Sequence, residues 1–415
     1  MERALYGRDG FYRRGERPAE HFRTSVHTSA RFASALARVL VDVDAALGHP
    51  ARFHLVDVGA GGGGLLTGVA AAVPPELAER LDLTAVEIAP RPPGTPDRVR
   101  WRGRIPHGIT GMVIANEWLD NVPLDIVECT PDGPRTVLVD PATGAESLGP
   151  PPSATDTAWM ERWWPLSEPG DRAELGGTRC AAWAAVMRRL RAGLAVAMDY
   201  SHLRASRPVY GTLTGYRDGA TVPPVPDGSC DVTAHVALDA CAAAGEAAGA
   251  TATLLTTQRD ALRALGLTGA RPPLDLARRD PGGYLVALGA AGEDAALIDP
   301  GGLGGFGWLV QTAGIAIPAT LARAGEVQEH RPQAATAVRS PASRTAVPRT
   351  TEPRTAERRA TGAAAQIWTC SALRPRRTNP GFHSGSAASR MPGASRSSAP
   401  NDSVSSIRAS GAPRQ

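Results

Sequence analysis

The sequence has no lysine; all 45 of its basic residues are arginine. Beside 45 glycines and 36 prolines, that bias is the imprint of a GC-rich genome and is weak support for any arginine-specific function. Cysteine is scarce too. The five cysteines stand at 129, 180, 230, 241 and 370 with no Cys-x-x-Cys pair, so neither a zinc site nor a disulfide framework is expected. No run of about 20 apolar residues occurs, so no membrane span is expected. Met1–Gly7 lacks the apolar core of a signal peptide, which leaves a cytoplasmic protein as the expectation.

What is present suffices for one large core or two smaller ones, with 42% hydrophobic residues in a chain of 415. The formal charge of +4 is unevenly spread: residues 321–415 carry +10 and residues 1–320 carry −6. Nucleic acid is not an expected partner of the acidic part. Beyond about residue 320, Ala, Thr, Arg, Pro and Ser dominate without periodicity, and 321–415 reads as a disordered tail.

The most informative stretch is Leu55-Val56-Asp57-Val58-Gly59-Ala60-Gly61-Gly62-Gly63-Gly64. An apolar run breaks into glycines and is followed by alanines and leucines, the order strand, tight turn, helix. Glycine permits positive φ and lets a ligand approach without meeting a Cβ. The first amides of the next helix are left unpaired there. Gly59-x-Gly61-x-x-Gly64 fits a dinucleotide fingerprint, and Gly59-x-Gly61-x-Gly63 after Asp57 fits the first motif of Rossmann-like methyltransferases. Two details favour the second: Asp57 stands where dinucleotide folds keep a small residue, and a helix precedes the strand.

Around this stretch the chain reads as strands alternating with helices, an α/β domain with a mostly parallel sheet. Residues 1–50 form a leading segment and a helix, started by Thr28 or Ser29 and ended at Gly48-His49-Pro50. Residues 51–320 form the main domain, with insertions at 124–178 and 201–230. Strands are predicted at Phe53–Val58, Leu83–Ile88, Val99–Trp101, Met112–Ala115, Leu194–Met198, Thr253–Thr256, Tyr284–Leu288 and Gly307–Gln311. Leu124–Cys129 and Thr136–Val139 predict a hairpin, 141–158 and 201–230 read as loops, and helices are predicted at 65–80, 179–192, Val232–Ala248 and Arg259–Gly266. Glu87 ends the second strand, where an acidic residue accepts hydrogen bonds from ribose hydroxyls. Asn116 and Glu117 end the fourth, and Asp199 a later one. Ligands bind at that edge of open α/β sheets.

Several strings, in order, resemble the MidA-like family of S-adenosylmethionine-dependent methyltransferases, which includes a mitochondrial complex I assembly factor that methylates an arginine. They are Gly10-Phe11-Tyr12, Phe22-Arg23-Thr24-Ser25, Val56–Gly63, Val86-Glu87-Ile88-Ala89-Pro90, Ala115-Asn116-Glu117-Trp118-Leu119-Asp120-Asn121-Val122-Pro123, Asp199-Tyr200, Gly211-Thr212-Leu213 and Asp231-Val232-Thr233-Ala234-His235-Val236. Val26-His27 stands where family members carry Pro-Glu, and Ser201 replaces a glycine.

The resemblance implies a Rossmann-like class I methyltransferase fold, with helices on both faces of the sheet and inserted substrate segments that form a lid. It implies S-adenosylmethionine as cofactor and no metal. Asp57, Gly59, Gly61, Gly63, Glu87 and Asn116 would hold the cofactor. Glu117, Asp120 and Asp199 would fix an arginine guanidinium, which a carboxylate matches in bidentate fashion. His235, with His202, would relay the released proton. The expected partner is a protein acceptor such as a respiratory complex subunit. A small-molecule acceptor, or a non-catalytic assembly factor that keeps the fold, is the alternative.

Overall fold

The computed structural model describes residues 1–13 and 30–329, with side chains through 324. The 22–25 and 26–27 strings, the helix caps Thr28 and Ser29, and most of the tail lie outside the described residues.

Seven strands form the central sheet: β1 (Phe53–Val58), β2 (Leu81–Val86), β3 (Val99–Arg102), β4 (Ile109–Asn116), β5 (Leu190–Asp199), β6 (Ala252–Thr257) and β7 (Gly307–Ala313). Their spatial order is β3-β2-β1-β4-β5-β7-β6. Every neighbouring pair is parallel except those of β7, which runs antiparallel to both β5 and β6. The chain leaves β1 toward β2 on one side and returns as β4 on the other. The carboxyl ends of β1 and β4 therefore flank a topological switch point, where open α/β sheets bind ligands.

Period-two alternation builds a core on each face of the sheet. Phe53, Leu55, Met112 and Ile114 pack with helices Ala30–Ala46, Gly64–Ala72 and Gln258–Ala264. Val56, Val58, Val113 and Ala115 pack with helices Gly177–Met187 and Leu238–Ala247 on the opposite face.

The first insertion is a four-stranded antiparallel sheet, Glu146–Leu148, Gly133–Val139, Asp125–Thr130 and Arg172–Leu175, with helix Ala154–Trp163 beside it. The expected loop at 141–158 thus holds a strand and the start of a helix, which Ser153 caps by accepting from the Asp156 amide at 3.2 Å. The expected loop at 201–230 holds a hairpin, Thr214–Arg217 with Ala220–Val222, and Asp231–Thr233 pairs beside it.

Three further expectations need correction. Tyr284–Leu288 is no strand but lies inside helix Pro281–Leu297, whose Asp280 caps the Gly283 amide at 2.9 Å with proline at the first position. The helix predicted from Val232 starts only at Leu238, because Asp231–Thr233 and Val236–Ala237 are strands. The predicted tail starts later than 321, since helix Ala319–Glu329 buries Leu321 and Ala324.

Candidate active site

The turn after β1 takes its shape from three glycines. Gly59, Gly61 and Gly63 have φ of +74°, +52° and +75°, a region costly for residues with a Cβ, whereas Gly62 and Gly64 do not enter it. Of the two spacings open in the sequence, Gly-x-Gly-x-Gly is the one the backbone uses. The Gly59 amide donates to Val86 O at 3.0 Å, which ties the turn to the end of β2. A Cβ on Gly59 would lie 2.9 Å from the Trp118 ring, while one on Gly61 would meet nothing within 4 Å. One glycine gives room to a side chain behind the turn; another leaves the space in front of it clear.

Two carboxyl groups converge on this turn. Glu87, one residue past β2, accepts from the Gly61 amide at 2.9 Å and from the Ile88 and Ala89 amides at 2.7 and 3.0 Å. Asp57 lies buried in β1, and burial, with Glu87 nearby, pushes its carboxyl up to about 8. It is therefore mostly a neutral acid at pH 7, and a cation brought to it would favour its ionised form.

The end of β4 forms the other wall. Asn116 is buried; its Nδ2 donates to Glu117 Oε1 at 3.0 Å, and its Oδ1 has no partner among the described residues. Glu117 has φ +51° without being glycine, a strained conformation of the kind found at functional sites. Its amide donates to Met198 O at 2.8 Å, which locks the turn onto β5.

Asp120 and Asp199 are deeper than the sequence suggests. Asp199 is fully buried, and its Oδ2 accepts from the Leu119 and Asp120 amides at 2.9 and 3.2 Å. That arrangement makes it a brace for the turn; its Oδ1 has no partner among the described residues. Asp120 accepts from the Thr233 hydroxyl at 2.7 Å and from Asn121 Nδ2 at 3.1 Å. Burial raises both carboxyls, Asp199 well above the usual range with Asp120 adding to it.

His235 and His202 are both neutral at pH 7. Burial, together with Arg179, depresses His235 to about 4, and its ring stacks on Tyr200 with centroids 5.5 Å apart. Burial, Arg207 and His235 depress His202 to about 3. Arg207 donates to His202 Nδ1 at 2.7 Å, so that nitrogen carries the lone pair and Nε2 the proton. A neutral imidazole can take up a proton, but Nε2 of His202 cannot while it already holds one. Trp164 packs in the core of the first insertion beside Met160 and Val127.

Five side chains outside the residues expected from the sequence complete the site: Tyr12, Tyr6, Asp231, Arg179 and Glu174. Tyr12 from the N-terminal segment donates to both oxygens of Asp231 at 3.2 Å. Tyr6 donates to Asn121 O at 3.0 Å and stacks on Tyr12. Burial and the nearby Asp120 push Asp231 up to about 7, with the Tyr12 bond working against them. Arg179, 1% exposed, ties these segments together. Its Nε donates to Val122 O at 3.0 Å and its Nη1 to the carbonyls of Ala234 and His235 at 2.7 and 2.9 Å, while Nη2 reaches Asp120 O. Glu174 accepts from the Thr212 and Leu213 amides, and the Thr212 hydroxyl takes the His235 amide at 2.8 Å. Gly211-Thr212-Leu213 and Ala234-His235 are thus sewn to one another. Tyr12 and Asp231 each stood in a recognisable string, but no local signal says that residues 219 apart in sequence will meet.

The family model described as "putative S-adenosyl-L-methionine-dependent methyltransferase" matches residues 35–256, more than half of the chain. Two crystal structures of COG1565 superfamily proteins from Burkholderia thailandensis are similar to it. One, bound to S-adenosylhomocysteine, is 28% identical, covers 76% of this chain and 87% of its own, and has a TM-score of 0.64. The other, a native structure, is 28% identical, covers 78% and 88%, and has a TM-score of 0.64. No curated protein matches the sequence. The site fits the cofactor: the glycine turn is open at Gly61, Glu87 is fixed beside it, and the orphaned Asn116 Oδ1 and the buried Asp57 await a donor or a cation.

Proposed function

The chain belongs to this family of S-adenosyl-L-methionine-dependent methyltransferases, and on that premise we propose that it transfers the methyl group to the guanidinium of an arginine in a protein acceptor. When bound, the cofactor supplies a methyl group already activated on a sulfonium. The protein's part is then to align the acceptor nitrogen and exclude water. Asp57 and Asn116 would take the cofactor's ammonium, and Glu87 its ribose hydroxyls.

The observation that carries the reading is a surplus of buried acceptors beside the cofactor turn. Among the described residues Asn121 Oδ1 and Asp199 Oδ1 have no partner, and Asp120 and Asp231 lie close together. The nearest buried cation, Arg179, gives its donors to main-chain carbonyls. An unmet buried acceptor costs about 1–3 kcal/mol. A guanidinium brings five N–H donors and a positive charge, and so answers both deficits. Its arrival favours ionised Asp120 and Asp231, and either carboxylate can then hold the proton released when the nitrogen is methylated.

The test is transfer of labelled methyl from S-adenosylmethionine into a cell lysate, followed by mass spectrometry. Methylarginine on a protein is expected, and is expected to vanish in Asp231→Asn. Label confined to small molecules, or to residues other than arginine, would defeat the proposal.

A further inference from the structure

β3 closes one end of the central sheet: among the described residues it has β2 on one side and no strand on the other. In a strand the amide and carbonyl of one residue point the same way, and those of the next residue point oppositely. Arg102 O accepts from the Glu87 amide at 2.9 Å, so Arg102 faces β2, and Trp101 turns its amide and carbonyl to the open edge. The pleat sorts the side chains in the same manner. Val99 is buried and Trp101 packs against the core of one face, its Nε1 donating to Ala89 O at 2.9 Å. Arg100 and Arg102 therefore stand on the other face, about 6.6 Å apart along the strand. Arg98 and Arg104 continue the two-residue spacing at either end, and all four arginines are exposed. Arg100 reaches Asp82 at 3.0 Å; Arg98, Arg102 and Arg104 have no carboxylate partner among the described residues. Five arginines and one aspartate lie between positions 88 and 108, although residues 1–320 together sum to −6.

We propose that this edge is a docking strip for an acidic segment of a partner protein, which adds to β3 as an extra strand and sets carboxylates on alternate residues beside Arg98, Arg100, Arg102 and Arg104. Charge on an edge strand ordinarily keeps other strands away. Four charges of one sign repel a second copy of this edge and leave an oppositely charged strand as the one that fits. A cross-strand neighbour stands about 4.5–5.5 Å away, within reach for a carboxylate to take an arginine fork. The backbone of such a segment pairs with the Trp101 amide and carbonyl. A nucleic acid offers phosphates to the arginines but no regular partner to that backbone edge, and the acidic remainder of the domain repels it. The strip also adjoins the cofactor turn, since a Cβ on Gly63 would lie 3.5 Å from the Trp101 ring. A docked partner is thus held beside the site, whichever group receives the methyl.

The full chain is titrated by fluorescence anisotropy with a labelled ten-residue peptide of alternating threonine and glutamate. An alternating threonine–lysine peptide and a ten-nucleotide single-stranded DNA are the comparisons. The acidic peptide is expected to bind, to bind less tightly as salt rises, and to lose about tenfold or more in affinity in the double variant Arg98→Glu with Arg102→Glu. The arginines beyond residue 329 are the same in both proteins, so the difference between them reads the strip alone. Hydrogen exchange read by mass spectrometry should show residues 99–104 newly protected in the wild-type protein when the peptide is bound. Equal affinity in the variant, no binding below millimolar peptide, no gain of protection at 99–104, or DNA held as tightly as the acidic peptide would overturn the proposal. The wild-type exchange pattern decides the matter even if the variant does not fold.

Discussion

Asp57 offers the sharpest test of the cofactor site. Burial and Glu87 push its carboxyl up to about 8, and the cofactor's ammonium would favour the ionised form. If the ligand binds only to that form, affinity follows the ionised fraction, roughly a half at pH 8, a tenth at pH 7 and a hundredth at pH 6. Affinity for S-adenosylhomocysteine should thus fall about fivefold from pH 8 to 7 and about tenfold from 7 to 6, each tenfold being about 1.4 kcal/mol. Binding at pH 7 should release close to one proton per ligand, because roughly nine in ten free sites hold one. The ligand's own ammonium also titrates near pH 8, so the comparison with Asp57→Asn carries the assignment. That variant should bind more weakly at pH 8 and with a much flatter profile.

Stability supplies a second sign for the same group. A carboxyl whose pKa is raised on folding binds more protons when folded, so between about 4 and 8 the unliganded protein loses stability as pH rises. Asp57→Asn should therefore melt higher than wild type at pH 8 without ligand, and this advantage should shrink when ligand is added. Calorimetry in two buffers of different ionisation enthalpy measures the proton count directly. An affinity that is flat from pH 6 to 8, with no proton released, would refute the reasoning.

Other substitutions separate the turn's two jobs. Gly61→Ala has open space for its methyl but φ of +52°, so it should cost about 1–2 kcal/mol in a denaturation curve and weaken S-adenosylhomocysteine binding more than tenfold. Gly59→Ala adds a clash with Trp118 to the same strain and should unfold at still lower denaturant. Arg179→Ala strands buried carbonyls at 120, 122, 234 and 235 and should cost about 3–5 kcal/mol, seen as a large fall in melting temperature. Glu87→Ala removes the acceptor of the Gly61 amide and should weaken ligand binding at least tenfold; unchanged binding would show that Glu87 does not hold the ribose.

The parts of the site that could be read from the sequence are those built from neighbours. Asp57, the glycines, Glu87 and Asn116 are local events at strand ends, where an apolar run meets polar residues, and the sheet brings them together by simple parallel pairing. The misread elements are short. Tyr284-Leu285-Val286-Ala287-Leu288 is apolar in every position, a pattern that fits a buried strand and a helix equally; the deciding signal was Asp280-Pro281 ahead of it. The alanine-rich helical pattern behind residues 232–237 runs on into them in the sequence, although Val232, Thr233 and Val236 favour a strand. Asp199 shows a different limit. Its place at the end of β5 points to a ligand for substrate, but only the packed structure shows that one oxygen turns inward to two amides while the other stays without a partner among the described residues.

The Tyr12–Asp231 contact bears on how this protein comes into being. A ribosome that has delivered Asn116 has made every residue expected to hold the cofactor, whereas Tyr12 must wait for a partner 219 residues later. Contacts of such sequence separation are slow to form, because the chain closes a long loop before it gains anything in return. The two halves of the site should therefore mature at different times, and a weakened variant should lose them in reverse order. Such a variant would still bind its cofactor and yet transfer nothing, an uncoupled state that a binding assay alone would score as healthy.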